Sequence, residues 1–112
     1  MEFINRIELQ GRVGTVRTNE VNGSRVANFS LATEALYKTR DAGAVSELTW
    51  HNVVAWEGRD ITDVFSITKG APINVIGRLR ISKYTSSEGV EKQLYEVLAQ
   101  KVRILTDEEA NS

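Results

Sequence analysis

The stretch Thr49 to Trp56, TWHNVVAW, holds both tryptophans of the chain and its only histidine. Side chains alternate along an extended strand. Trp50, Asn52, Val54 and Trp56 then share one face, and Thr49, His51, Val53 and Ala55 the other. Two large rings on one face either fill a core or offer a surface for stacking. The pattern allows both: Trp often packs inside with its N–H bonded, while Val54 between the rings argues against a fully wetted face. Phe29 and Phe65 sit in apolar patterns and are expected in the core. Tyr37 and Tyr84 stand at the roots of polar loops, beside Lys38 and Arg40 and beside Arg80 and Lys83. Tyr84 shares its strand face with Asn74, Arg78, Arg80 and Ser82, a row that reads as solvated. Rings interleaved with cations suit single-stranded nucleic acid, because bases stack on rings at about 1–3 kcal/mol each and cations hold phosphates. The bland alternative is that strand-end cations are simply solvated surface.

Catalytic chemistry finds no comparable support. His51 is the only histidine and there is no cysteine to partner it. A lone histidine on a strand reads as structural, since catalytic groups need positioned partners. The pair Glu108 and Glu109 lies in a polar, acidic end. No ligand spacing suggests zinc, and Gly11-x-x-Gly14 is neither a phosphate loop nor a dinucleotide fingerprint. The reading is no enzyme, no cofactor and no metal.

The elements that must position these groups are mostly strands. With 112 residues the chain suits one domain. Hydrophobic residues at 41% and charged residues at 26% are ordinary for globular domains. Net charge is −1, so any polyanion must be met by cations gathered on one surface. Absence of cysteine fits a cytosolic setting, no run is long enough to span a membrane, and MEFINRIELQ does not read as a signal peptide.

Ile7, Leu9, Val13 and Val16 suggest a first strand, interrupted at Gly11 and Gly14. VNGS at Val21 to Ser24 predicts a type I′ hairpin turn. RVANFSLATEA is a second strand with Ala27, Phe29 and Leu31 on one face, and KTRDAGAVSE a polar, flexible loop. TWHNVVAW is the third strand. GRDITDVFSITKG predicts a short helix, with Asp60 as N-cap, Ile61, Val64 and Phe65 on its apolar face, and Lys69-Gly70 at its end. Pro72 opens a fourth strand whose Ile73, Val75, Gly77, Leu79 and Ile81 share a face. TSSEGVE is another polar loop, and QLYEVLAQKVRIL a fifth strand, mixed on both faces. Three strands, a helix and two strands describe an all-β OB-fold, a five-stranded Greek-key barrel with one short helix between strands three and four. The domain is expected over residues 1–106, with a short flexible acidic end over 107–112.

GRVG, VANFSLAT, TWHNVVAW, KGAPINVIGRL and KYTSSEG together resemble the bacterial single-stranded DNA-binding protein family, over about Asn5 to Leu105. The resemblance implies an OB-fold that assembles as a homotetramer with single-stranded DNA wrapped around it. Its stacking aromatics fall on Tyr37, Trp50, Trp56 and Tyr84, which favours the stacking surface for both tryptophans. His51 matches a residue at a subunit interface. Lys38, Lys69, Arg80, Lys83 and Lys92 become phosphate contacts. Asn52 stands where the family often has arginine, which removes one such contact. The family's linker and hydrophobic acidic tip have no match in TDEEANS, so tail-mediated protein partners are not expected. The expected setting is cytoplasmic, on the nucleoid or on mobile DNA, in replication, recombination or repair. Two rivals stay open: a tail-less OB-fold accessory module of replication restart, and an RNA-binding OB domain, since nothing in the sequence rejects a 2′-hydroxyl.

Overall fold

The computed structural model describes residues 1–41, 43–61 and 63–110. Five strands dominate it: β1 (Ile7–Val21), β2 (Ser24–Thr39), β3 (Gly43–Trp56), β4 (Pro72–Thr85) and β5 (Glu91–Ile104). They close a barrel in the order β1-β2-β3-β5-β4. Every neighbouring pair is antiparallel except β3 and β5. This is the OB architecture expected.

Alternation explains the core. Ala27, Phe29 and Leu31 of β2 point inward with Val53 and Ala55 of β3, Ile73 and Val75 of β4, and Val97 and Ala99 of β5. Asn22 and Gly23 take positive φ (52° and 83°), the geometry of the expected tight turn between β1 and β2. The first-strand glycines mark a bulge: the register shifts between Val13 and Val16, so Gly14 and Thr15 together face Ser30. The Thr15 amide donates to Ser30 Oγ at 2.9 Å there. A second shift, between Ile76 and Gly77 against β5, makes Ala99 and Val102 both face inward. That extra residue is why β5 reads as mixed on both faces.

The strands outrun the barrel. The expected loop over 38–47 is largely ladder, with β2 and β3 paired from Val26–Trp56 out to Thr39–Gly43; Ala42, at its tip, lies outside the described residues. β4 and β5 likewise stay paired to Thr85–Glu91. The radius of gyration is 16.1 Å, against about 13 Å for a compact chain of this length. Leu79 and Ile81 continue the inward row of β4 yet are 43% and 50% exposed, because they lie beyond the barrel on an arm.

The expected helix is a single 3-10 turn, Val64–Ser66. Of the turn itself only Val64 is buried, and Ile61 and Ile67 on either side of it are buried too, a spacing of three rather than of three and four. Asp63, not Asp60, occupies the N-cap position, without a side-chain cap and in the left-handed region (φ 51°), which an α-helix cannot pass through. The Val64 amide donates to Glu57 Oε2 at 3.1 Å; Thr62 lies outside the described residues. Phe65 is not core: it is 43% exposed, with the Arg25 guanidinium 4.8 Å from its ring centre. The acidic end forms one helical turn, Asp107–Ala110. Thr106 and Glu109 cap each other there, each side chain accepting from the other's amide.

Candidate nucleic-acid interface

Neither tryptophan belongs to the core. Trp50 is 56% exposed and Trp56 40%, while Val53, Val54 and Ala55 between them are buried. Both rings stand on the outer face of β3. Trp50 has a specific seat. A Cβ on Gly14 would lie 2.5 Å from Trp50 Cζ3 and 2.9 Å from Cη2, so the ring rests directly on the backbone of the β1 bulge. The bare glycine lets the ring lie close to the sheet with much of it still open to solvent.

The barrel closes narrowly beside these rings. β3 and β5 pair only at Val53–Val97 and Val54–Leu98. Since the two run parallel, the residues before those pairs diverge together into the two arms. A cleft of about 140 Å³ opens at the parting, lined among others by Asn28, Ser30, Asn52, Leu94 and Glu96. Its floor is apolar: Phe29, Val53 and Val54.

The expected site residues divide by register. Trp50, Trp56 and Lys38 lie on the outer row of the β2–β3 ribbon, in line with Ala32, Val26 and Ala44. Tyr84 lies on the outer row of the other arm, directly opposite Lys92 and in the same row as Arg80. Tyr84 is 48% exposed. Tyr37, 45% exposed, pairs with Val45 in the row that continues Thr33 and His51. Its ring therefore leaves the opposite face of the ribbon from Trp50. Lys83, opposite Gln93, is likewise on the other face from Tyr84.

Arg80 is not a free cation: its Nε donates to Glu96 Oε1 at 2.7 Å. Lys69 is exposed in a turn tied to the β1 bulge, where the Gly70 amide donates to the Val13 carbonyl at 2.8 Å. Two cations that sequence reasoning left out join this surface. Arg12 faces Ala32 and Arg17 faces Asn28, both in the outer row of β2. Simple alternation would send them to opposite faces; the bulge between them brings both outward. The paired glycines were the available signal.

His51 sits in the inner row and is half-buried, with Nε2 2.8 Å from Thr33 Oγ1. Burial pushes its pKa below the ordinary 6.5. Among the described residues no three His, Cys, Asp or Glu side chains lie close enough to hold a metal ion.

The model of the single-strand binding protein family matches residues 4–105. This chain belongs to that family. Single-stranded DNA-binding proteins are among its curated relatives. That of Neisseria meningitidis is 30% identical over 97% of this chain and 64% of its own length. That of Xylella fastidiosa is 31% identical over all of this chain and 85% of its own. The chain thus spans a little under two thirds of the Neisseria relative. Among solved structures, a Plasmodium falciparum family member in complex with single-stranded DNA superposes with a TM-score of 0.81. It is 29% identical, over 95% of this chain and 98% of that one. A single-stranded DNA-binding protein from Thermus aquaticus shares the fold, with a TM-score of 0.74 at 21% identity over 93% of this chain and 51% of that one.

Proposed function

We propose that this protein binds single-stranded DNA without catalysing a reaction, and coats exposed strands in replication, recombination or repair. The observation that carries the reading is the pair of outward tryptophans on β3, one of them seated on Gly14 and half open to solvent. Flat exposed rings serve every base alike, since every base has a π-face. Lys38, Lys69, Lys92, Arg12 and Arg17 supply positive charge around them. Tyr84 extends the same surface along the second arm, and Tyr37 meets strand that wraps around the edge of the first. Family membership and the likeness to a structure solved with single-stranded DNA support the same reading.

The working form is a homo-oligomer, a tetramer by family resemblance. Leu79, Ile81 and Tyr95 are 43%, 50% and 59% exposed, and they share one side of the β4–β5 arm. That apolar side, away from Tyr84, is suited to contact with another copy. His51 belongs to the corresponding inner row of the other arm. Among the described residues no helix is long and apolar enough to cross a membrane.

The test is a tryptophan-fluorescence titration with oligo-dT, repeated with duplex DNA and with the matching RNA. Trp50 and Trp56 are the only indoles, so quenching reports on them alone. Deep quenching by oligo-dT and none by duplex is expected. No quenching by any single strand refutes the reading, and equal affinity for RNA moves the substrate class to single strands in general.

A further inference from the structure

The cleft where β3 and β5 part lies beside the seat of Trp50: Gly14 carries the ring, and Thr15, the next residue, lines the cleft. Its charges are few. Among the described residues that line it, Arg17 is the one cation and Glu96 the one carboxylate. Glu96 is buried, 8% exposed, and its charge is met by Arg80, whose Nε donates to Oε1 at 2.7 Å. Arg17 is exposed and makes no hydrogen bond or ion pair within the described residues. Since Arg80 and Glu96 cancel, the charge the cleft carries is that of Arg17.

The other polar groups hold hydrogens to spare. The side-chain amides of Asn28 and Asn52 have no partner within the described residues, and both are exposed. Asn28 stands directly opposite Arg17, and Asn52 opposite Ser30. The Thr15 amide donates to Ser30 Oγ at 2.9 Å, and one hydroxyl hydrogen closes the 3.2 Å contact between Thr15 Oγ1 and Ser30 Oγ. Two hydroxyls bring two hydrogens, so whichever donates, the other hydrogen stays unspent. A guanidinium, two carboxamides and a hydroxyl hydrogen suit an anion with several acceptor oxygens. The volume of about 140 Å³ is roughly ten times what one water needs.

We propose that this cleft seats one backbone phosphate of the bound strand, held by Arg17 and by the amides of Asn28 and Asn52, next to the base on Trp50. The inference rests on the single-strand binding reading and adds a fixed point to it. Exposed cations elsewhere on the surface attract the backbone at large; here neutral donors beside a cation set where one phosphate lies. A phosphate contact carries no base information, so the seat serves every sequence, as the rings do. The β1 bulge makes it. Strict alternation from Arg12 would turn Arg17 toward the barrel interior, and the extra residue between Val13 and Val16 returns it to the outer row, opposite Asn28.

The experiment is a salt series of titrations with oligo-dT and oligo-dC of one length, on the intact protein, Arg17→Ala, Arg17→Lys, Asn28→Ala and the double variant of Arg17→Ala with Asn28→Ala. Arg17→Ala should weaken both oligomers about tenfold and lower the slope of log affinity against log salt by about 0.7. Arg17→Lys should keep the slope and recover only part of the affinity, because an ammonium lacks the planar fork. Asn28→Ala should weaken both oligomers about two- to fivefold with the slope unchanged, since a neutral donor releases no counterion. That loss should shrink once Arg17 is gone. Both residues are exposed and without internal partners, so denaturant melts should match the intact protein. Unchanged affinity and slope in Arg17→Ala overturns this inference alone. So does full affinity in both Arg17→Lys and Asn28→Ala, which makes Arg17 one charge in a diffuse field, and so does a loss confined to one oligomer, which makes the contact one to a base. Binding to neither oligomer by the intact protein overturns the function reading with it.

Discussion

Gly14→Ala is the sharpest perturbation of the interface, because it adds one methyl group under Trp50. That methyl would sit 2.5 Å from Trp50 Cζ3 and 2.6 Å from Ser30 Oγ. Ordinary contact needs about 3.5–4.0 Å, so the ring must withdraw by about 1 Å. Gly14 is not among the positive-φ residues, so crowding rather than backbone strain sets the cost. Overpacking costs about 1–3 kcal/mol, while losing glycine's freedom in the unfolded chain returns about 0.4–1 kcal/mol. Net destabilisation of about 0–2.5 kcal/mol follows. The effect on binding is larger. A ring lifted from its seat loses its stacked base, worth about 1–3 kcal/mol, or about five- to 150-fold in affinity. Denaturant melts and oligo-dT titrations of Gly14→Ala, Trp50→Ala and the double variant separate the two effects. If Gly14 acts through Trp50, the binding cost of Gly14→Ala vanishes once Trp50 is gone. Unchanged affinity and quenching in Gly14→Ala, or equal binding costs with and without Trp50, would refute the seat.

Other outcomes follow from the same geometry. Gly77→Ala should destabilise more than Gly14→Ala, by about 3 kcal/mol or more in a denaturant melt, because its Cβ would lie 2.2 Å from the Leu98 carbonyl oxygen, which is backbone and cannot swing away. Leu31→Ala, emptying a fully buried position, should cost about 2–5 kcal/mol. For the cations, Lys38→Ala and Lys92→Ala should each lower the slope of log affinity against log salt by about 0.7, whereas Lys83→Ala, on the far face, should leave the slope alone; a drop for Lys83 equal to that for Lys92 would contradict the register argument. His51 has its folded pKa lowered by burial, so the unfolded state binds the proton more readily. Its contribution is full above the ordinary value of 6.5 and is lost as pH falls from there toward the folded value. His51→Gln should flatten the stability-against-pH curve in that window, and an unchanged curve would refute the assignment.

The strand count, the Asn22-Gly23 turn, the inward rows and the aromatic set were legible in residue order, because each is a local or period-two property. Phe29 was legible as core for the same reason. Phe65 was not: its apolar neighbours suggested a helix, and only the turn at Asp63, fixed by tertiary contacts of Ile61, Val64 and Ile67, pushed the ring outward onto Arg25. Two bulges defeated simple alternation. One brings Arg12 and Arg17 to the same face, the other turns Ala99 and Val102 inward, and where a bulge absorbs its extra residue depends on the partner strand. The length of the arms was hidden as well, since a polar loop and a solvated ladder have the same composition. That Trp50 rests on Gly14, that Tyr37 leaves the opposite face, and that Arg80 is held by Glu96 came from the folded chain alone. Each of these joins residues distant in sequence, whose meeting depends on how the barrel closes rather than on any local preference.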